Sequence, residues 1–595
     1  MPTPSACLVN LYQLCRKQNL GLILEPPASN ILLIRVEQKN KLPDITQWLS
    51  RNQFYLVFAT STDERELVDR CFKLFYLFSH EREDAIILVE CPLVDHEDEI
   101  NRIALTRYPS IENLYPYVTH FEDEIADMMG LLPNNSNDQP AISGRWLHEN
   151  NYPSDLFPLR HDRTTEQIRF KIEQYRLSQA SKSNLHVPSD EAPNRFGEWK
   201  LSVGPVHASV IEPGRFTFTL CREVIEEAHI DLGYAHKGIE RLFQTSQDLF
   251  DGWQLAEHVC GDSVFAHSTA YCSAIEMLTK TRISSEASAL RAVLIEIERL
   301  VNHIGDCAAL LKDVAYDYGA SNLERVREDA MQLCMNYFGH RLLRNICRPG
   351  GLVLPKPIST ASLRSEITQI VHQFIWHIKP VLKVQSVVER FRWTGILTRL
   401  QVETLGGTGF VARASGVQRD SRLQHPFGVY TDPHTREIID ESFSKYDNSV
   451  LQQKSRAGDV LARFLLRARE IEYAEKIINY ITQNHLPEQL STSMITQCEE
   501  RNSKAYALGI GISEGWRGEI YYFVIKDAAN GIFRCKVRDP SMLNWACLKA
   551  ALEPHDLDTD YIQQAMPPLN HTETVLPDFP IVNKSFNLSY TGNDL

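Results

Sequence analysis

The chain has 595 residues, 43% hydrophobic and 23% charged, and its 62 Lys and Arg face 76 Asp and Glu for a formal charge of −14. That length exceeds a single hydrophobic core and predicts two or three domains. The acidic balance lacks the basic face that phosphate binding needs and excludes a nucleic-acid partner.

Thirteen cysteines are scattered with no CxxC pair, as expected of buried thiols in a reducing compartment. The opening MPTPSACLVNLYQLCRKQNLG has neither the charged start nor the apolar run of a signal peptide. No stretch approaches the roughly 18 apolar residues of a membrane-spanning helix.

In chain order, ILLIRVEQ (31–38), FYLVFAT (54–60), FKLFYLFS (72–79) and AIILVECP (85–92) read as short strands. Helical spacing is read around them, as in TDERELVDRCF, which makes residues 1–133 a small α/β domain. Its last element, FEDEIADMMGLLPNN, reads as an acidic amphipathic helix stopped by Gly130 and Pro133. Residues 134–198, rich in Asn, Ser, Pro and Asp, read as a linker in which TEQIRFKIEQYRL forms a short helix.

From 199 the pattern changes to an antiparallel β region running into GYAHKGIERLF, followed by long helices. Apolar residues at 290, 293, 294, 297, 300, 301 and 304 form one helical stripe. Leu323, Val326, Ala330 and Leu333 form another. SEITQIVHQFIWHIKPVLKVQSVVERF, interrupted near Pro380, and DVLARFLLRAREIEYAEKIINYI complete a bundle. GEIYYFVIKDAANGIFRCKVRDP reads as a hairpin about Ala-Asn-Gly. The fold class is α+β, a small α/β domain before a central long-helix bundle framed by β structure.

The stretch EHVCGDSVFAHSTAYC (257–272) looks like one wall of a metal site, but a soft metal needs several thiolates and here Cys260 stands alone. VRDPSMLNWAC (537–547) could be the opposite wall, with Ser541 and Asn544 where a second pair of cysteines would stand. GGTGF (406–410) lacks the continuation of a phosphate loop and reads as a tight turn.

Together with VGPVH (203–207), EPG (212–214), GYAHKGIER (233–241), LRAVLIEIERLVNH (290–303), RVRE (325–328), RPGG (348–351), VARASGVQRD (411–420), RGEIYYFV (517–524) and NKSFNLSYTGNDL (583–595), these motifs stand in one family's order and spacing. The chain resembles the large subunit of group 4 membrane-bound [NiFe]-hydrogenases, the formate hydrogenlyase type included. It resembles equally the quinone-site subunit of respiratory complex I. FEDEIADMMGL resembles the end of the small complex I subunit, here fused ahead.

The resemblance implies a small-subunit-like domain over 1–133, a linker over 134–198 and a hydrogenase-large-subunit-like domain over 199–595. It implies a redox subunit of an ion-translocating complex (proton or sodium), peripheral on the cytoplasmic face of the inner membrane. The implied neighbours are a small subunit carrying a [4Fe–4S] cluster, a ferredoxin-like iron–sulfur subunit and antiporter-like membrane subunits.

Of the family's four nickel–iron ligand positions only Cys260 keeps its thiol; the others are Ser263, Ser541 and Asn544. Quinone-reducing relatives place a tyrosine where Val259 stands and a histidine where Ile211 stands. The reading is a degenerate metal site with no cofactor bound by this chain and no NiFe centre. In the implied cavity His207, Glu212, Asp262 and His267 are the proton-relay candidates, with His236 and Glu240 nearby and Tyr271 a further candidate if turned inward. Arg291, Glu298 and Arg299 are expected to brace helices through ion pairs. A quinone-reducing NADH dehydrogenase-type subunit and a redox-inactive scaffold of an ion-transporting complex stand as alternatives.

Overall fold

A computed structural model describes residues 8, 11, 21–24, 30–93, 106–135, 144–147, 151–180, 197–207, 211–246, 248–444, 458–498, 504–555 and 573–595. The chain divides into two compact units: residues 1–192 with 232–241 and 594, and residues 193–231 with 242–593 and 595.

In the first unit, β1 (Leu22–Leu24), β2 (Ile31–Arg35), β3 (Phe54–Asp63), β4 (Phe72–His80) and β5 (Ile86–Leu93) form one sheet in the order β1-β2-β5-β4-β3. Only β2 and β5 are parallel. β3 and β4 are buried along their whole length, which explains why they read as continuous apolar runs instead of alternating ones. Helix α1 is Leu42–Arg51, and α2 (Val118–Met129) packs on β3. Gly130 ends α2 in the left-handed conformation (φ 72°), as its position predicts. β6 (Arg107–Pro109) and β7 (Leu132–Asn134) flank α2 in sequence and pair in parallel, and α3 covers Thr165–Ala180.

Two expectations fail here. TDERELVDRCF is no helix: after β3 ends at Asp63 it turns back into β4. Its apolar members make no buried stripe, since Val68 is 97% exposed, and its charges pair across the turn, Lys73 with Glu64 and Asp69 at 2.7 Å each. α2 is acidic, but its polar side does not face solvent as a surface helix's would: Glu122, Asp123, Glu124 and Asp127 are all buried.

The second unit opens with β8 (Glu198–Val203), β9 (Arg215–Cys221) and β10 (Val224–Asp231), an antiparallel sheet. α4 (Val264–Leu278), α5 (Ser285–Asp313), α6 (Asp317–Phe338), α7 (Thr360–Val381) and α8 (Val460–Asn484) follow. α5 packs against α6 and α8, and α7 against both α6 and α8. Pro380 lies one residue before the end of α7. β11 (Leu508–Glu514), β12 (Glu519–Lys526) and β13 (Ile532–Arg538) make a second antiparallel sheet, and α4 packs on β11 and β12. The hairpin read from the sequence is β12–β13. α9 (Ser541–Leu552) follows directly.

The bundle core is threaded by charge. Arg299 pairs with Glu296 (3.0 Å) and Glu470 (3.2 Å), and Arg413 with Glu470 (2.7 Å) and Glu514 (3.0 Å). Arg291 makes a bidentate bond to Glu276 at 2.9 and 2.7 Å. Arg291 and Arg299 thus brace helices as expected. Glu298 has a different task, described next.

Candidate functional site

The turn 260–263 and the start of α4 are fixed from two sides. The first N–H groups of a helix have no partner within it, and those of Phe265 and Ala266 donate to Glu298 of α5 at 2.7 and 3.1 Å. One turn further along α5, Asn302 Nδ2 donates to the Asp262 carbonyl at 2.9 Å. The Trp516 indole N–H donates to the same oxygen at 2.9 Å. Glu298 is therefore an anchor for the turn. Burial pushes its pKa up to about 8, against the lowering effect of the two N–H groups.

Held this way, the turn points Cys260, Asp262 and Ser263 at Arg517, which lies between β11 and β12. Arg517 grips Asp262 with both terminal nitrogens, Nη2 to Oδ2 being 2.7 Å. Nη1 also lies 3.4 Å from Cys260 Sγ and 3.4 Å from Ser263 Oγ, while Cys260 Sγ is 3.0 Å from Asp262 Oδ1. The guanidinium stacks on the Trp516 ring at 3.9 Å, and Nε donates to the Asn587 carbonyl at 2.6 Å. A close approach of two loops sets this position. Gly409, in the GGTGF turn, has φ 64°, and a Cβ there would lie 1.8 Å from the Arg517 carbonyl oxygen.

The electrostatics follow. Burial disfavours the Asp262 carboxylate, but the Arg517 guanidinium beside it outweighs burial and holds its pKa below the usual range. Burial, with Asp262 adding to it, pushes the Cys260 thiol far up, so it stays protonated. The cleft bounded by Asp262, Glu298, Asn302 and Arg341 has room for about 10 Å³, roughly a single water.

His267, on α4, is fully buried between Tyr522 Oη (3.0 Å from Nδ1) and Asp539 Oδ2 (3.0 Å from Nε2). Asp539 accepts the Ser541 N–H at 2.7 Å. Burial raises its pKa, but His267 and then Arg517 bring it below the usual carboxylate value. Arg517–Asp262 and His267–Asp539 are thus two separate pairs, with Arg517 acting on Asp539 only as a nearby positive charge.

Glu212 sits at the start of the C-terminal helix Tyr590–Asp594, where Oε2 accepts the N–H groups of Tyr590 and Thr591 at 3.1 Å each. His207 Nε2–H donates to the Gly214 carbonyl at 2.7 Å, closing its own turn. Tyr271 is buried with its hydroxyl donating to the Leu249 carbonyl at 2.7 Å. His236 and Glu240 belong to the first unit. There the His236 ring bonds the Asp594 carbonyl, and the Asp594 carboxylate accepts the N–H groups of Gly233 and Ala235 at 2.9 and 2.8 Å.

The remaining degenerate positions hold the chain together. Ser541 Oγ accepts the Ser589 N–H at 3.0 Å. Asn544 reads Thr408 on both sides, accepting its N–H at 3.0 Å and donating to its carbonyl at 3.2 Å. Nickel and iron do not fit this set: one protonated thiol faces an arginine, and two of the three replaced ligands bond backbone. Among the described residues no group of three or more His, Cys, Asp or Glu is placed to hold a metal ion. Arg517, Asp539, Tyr522 and Trp516 escaped sequence reading. RGEIYYFV and VRDPS marked where three of them lie, but nothing local reveals that Arg517 meets a turn 255 residues earlier.

Arg517, Asp262 and Cys260 thus form one centre in the second unit, and the chain is similar to known proteins over parts of both units. Residues 319–564 match the family described as respiratory-chain NADH dehydrogenase, 49 Kd subunit, and residues 35–168 match its 30 Kd subunit family. The chain thus matches both domain families in one polypeptide. It is 26% identical over 522 residues to hydrogenase-4 component G of Escherichia coli (strain K12), covering 86% of this chain and 82% of that protein. To a fused NADH-quinone oxidoreductase polypeptide of Phocaeicola vulgatus it is 25% identical over 453 residues, 71% of this chain and 80% of that one. A solved structure of the membrane-bound sulfane sulfur reductase, an archaeal respiratory membrane complex, shares the fold. Its TM-score is 0.53 at 18% identity, over 68% of this chain and 100% of that one.

Proposed function

We propose that this chain is a peripheral subunit of a membrane-bound oxidoreductase of the complex I and hydrogenase kind, coupling electron transfer to proton or sodium translocation without a NiFe centre. The observation that carries the second half is Arg517, a fixed cation bonded to Asp262 and in contact with Cys260 and Ser263. No helix among the described residues is long and apolar enough to cross a membrane. In this reading the chain attaches to membrane subunits from the cytoplasmic face. A small subunit would bring a [4Fe–4S] cluster, fed by a ferredoxin-like subunit, and antiporter-like subunits would move the ion.

Electrons then arrive beside the Cys260 turn, and protons follow through the chain's own groups. His267 and Asp539 form a buried pair, and Asp262, paired with Arg517, reaches the cleft. Proton transfer through such pairs requires groups held in register and partly shielded from water. Asp262→Asn keeps the shape and removes the charge that Arg517 balances. In the intact membrane complex it abolishes turnover while the subunits still assemble. Wild-type turnover in that variant contradicts the relay.

A scaffold reading has one observation in its favour, the backbone bonds of Ser541 and Asn544. It predicts that ion transport and assembly are indifferent to both Asp262→Asn and His267→Gln.

A further inference from the structure

Arg517 acts on Cys260, Asp262 and Ser263 only while its guanidinium is aimed at them. Stacking on Trp516 at 3.9 Å sets the plane of the group, and the Nε–H bond to the Asn587 carbonyl at 2.6 Å sets its rotation within that plane. With Nε held, Nη1 and Nη2 are left to grip Asp262. What holds the Asn587 carbonyl thus decides where Arg517 points.

Asn587 ends the helix Phe579–Phe586, which packs on α5 and α8. Its backbone is left-handed, φ 44° and ψ 57°, a conformation Asn adopts more readily than most residues with a Cβ. In that turn its carbonyl leaves the helix pattern and accepts from Arg517 instead. The side chain is anchored separately: Nδ2 donates to Asp306 Oδ1 of α5 at 2.7 Å. Asp306 Oδ2 pairs with Arg467 Nη1 of α8 at 2.5 Å, and Arg467 Nη2 donates to the Ser585 carbonyl, in the last turn of the same helix, at 2.9 Å. Asp306 and Arg467 are 4% and 0% exposed, so close packing keeps this anchor in place.

We propose that Asn587 is the positioning residue of the Arg517 centre: its side chain, tied to Asp306, holds the backbone carbonyl that aims the guanidinium at Asp262 and Cys260. Asparagine meets both demands at once. Glycine takes the left-handed turn but has no amide, and aspartate takes the turn but sets a second carboxylate against Asp306. The role rests on the proposed reading of this centre as a proton site, and its test reads the guanidinium itself, so the two fail separately.

The test is exchange of the Arg517 Nε–H with solvent, followed by nitrogen–proton NMR on the full chain, the signal being assigned by its loss in Arg517→Lys. Asn587→Gly speeds this exchange about tenfold, the factor that one hydrogen bond to a carboxylate supplies. Asn587→Asp speeds it at least as far. The Arg463 Nε–H, bonded to Ser585 Oγ of the same helix at 2.8 Å, keeps its wild-type rate in both variants. Loosening of the helix as a whole would speed both arginines. Glycine suits the left-handed site, so Asn587→Gly folds. Arg517 exchange at the wild-type rate in Asn587→Gly overturns the proposal, as does an equal rise at Arg463. Faster Arg517 exchange with undiminished turnover of the membrane complex leaves the role standing and removes the proton reading of the centre.

Discussion

Arg517 carries the centre, so its replacements separate charge from geometry. Arg517→Met leaves Asp262 without its bidentate partner and costs about 2 kcal/mol, read as a lower unfolding midpoint. Arg517→Lys restores the charge but not the fork, and it recovers stability in part. Equal stability in all three proteins contradicts the bidentate assignment. Glu212 separates differently. Glu212→Gln keeps an oxygen for the Tyr590 and Thr591 N–H groups, whereas Glu212→Ala loses that cap and about 1 kcal/mol. Turnover lost in both but stability only in the alanine variant assigns Glu212 a proton role. Equal turnover in wild type and Glu212→Gln leaves it a helix anchor. At this scale the sequence discloses residue types and hides partners. Cys260, Ser263, Ser541 and Asn544 are legible as altered ligand positions. That Asn544 clasps Thr408, 136 residues earlier, depends on a loop and a helix meeting in space.

At the scale of elements, the buried charges tie α5 and α8 together, and His303 shows how. Its Nδ1 accepts from Arg467 at 3.1 Å, so Nε2 carries the proton toward Glu470 at 2.9 Å and the ring is neutral. Burial lowers its pKa from 6.5 to about 4. The folded state thus binds fewer protons than the unfolded one between those values. The stability from neutral His303 is complete above about 6.5 and is lost as pH falls through about 4. Against His303→Gln, the wild-type unfolding midpoint therefore drops more steeply on acidification in that window, and parallel profiles contradict the neutral tautomer. Asn544→Ala frees a buried N–H and C=O on Thr408 and costs about 1–3 kcal/mol, checked by thermal unfolding of the full chain. The long helices and the β12–β13 hairpin are legible because their periodicity runs over many residues. TDERELVDRCF misleads because ion pairs such as Lys73 with Glu64 favour a turn whose helical spacing has no core to face. Acidic α2 misleads for the opposite reason: its carboxylates are buried in the fold instead of solvated.

On the scale of the whole molecule, matches to two domain families share one chain, and the proposed function turns on Arg517 standing beside Cys260 and Asp262. The domain frame is legible from ordered motifs; the occupant of its centre is not, because it is decided by contacts among turns far apart in sequence. The measurement that tests this most directly is elemental analysis of nickel and iron in the intact membrane complex, per copy of this chain. The account predicts iron in multiples of four from cluster-bearing partners and no stoichiometric nickel. One nickel per chain would contradict it.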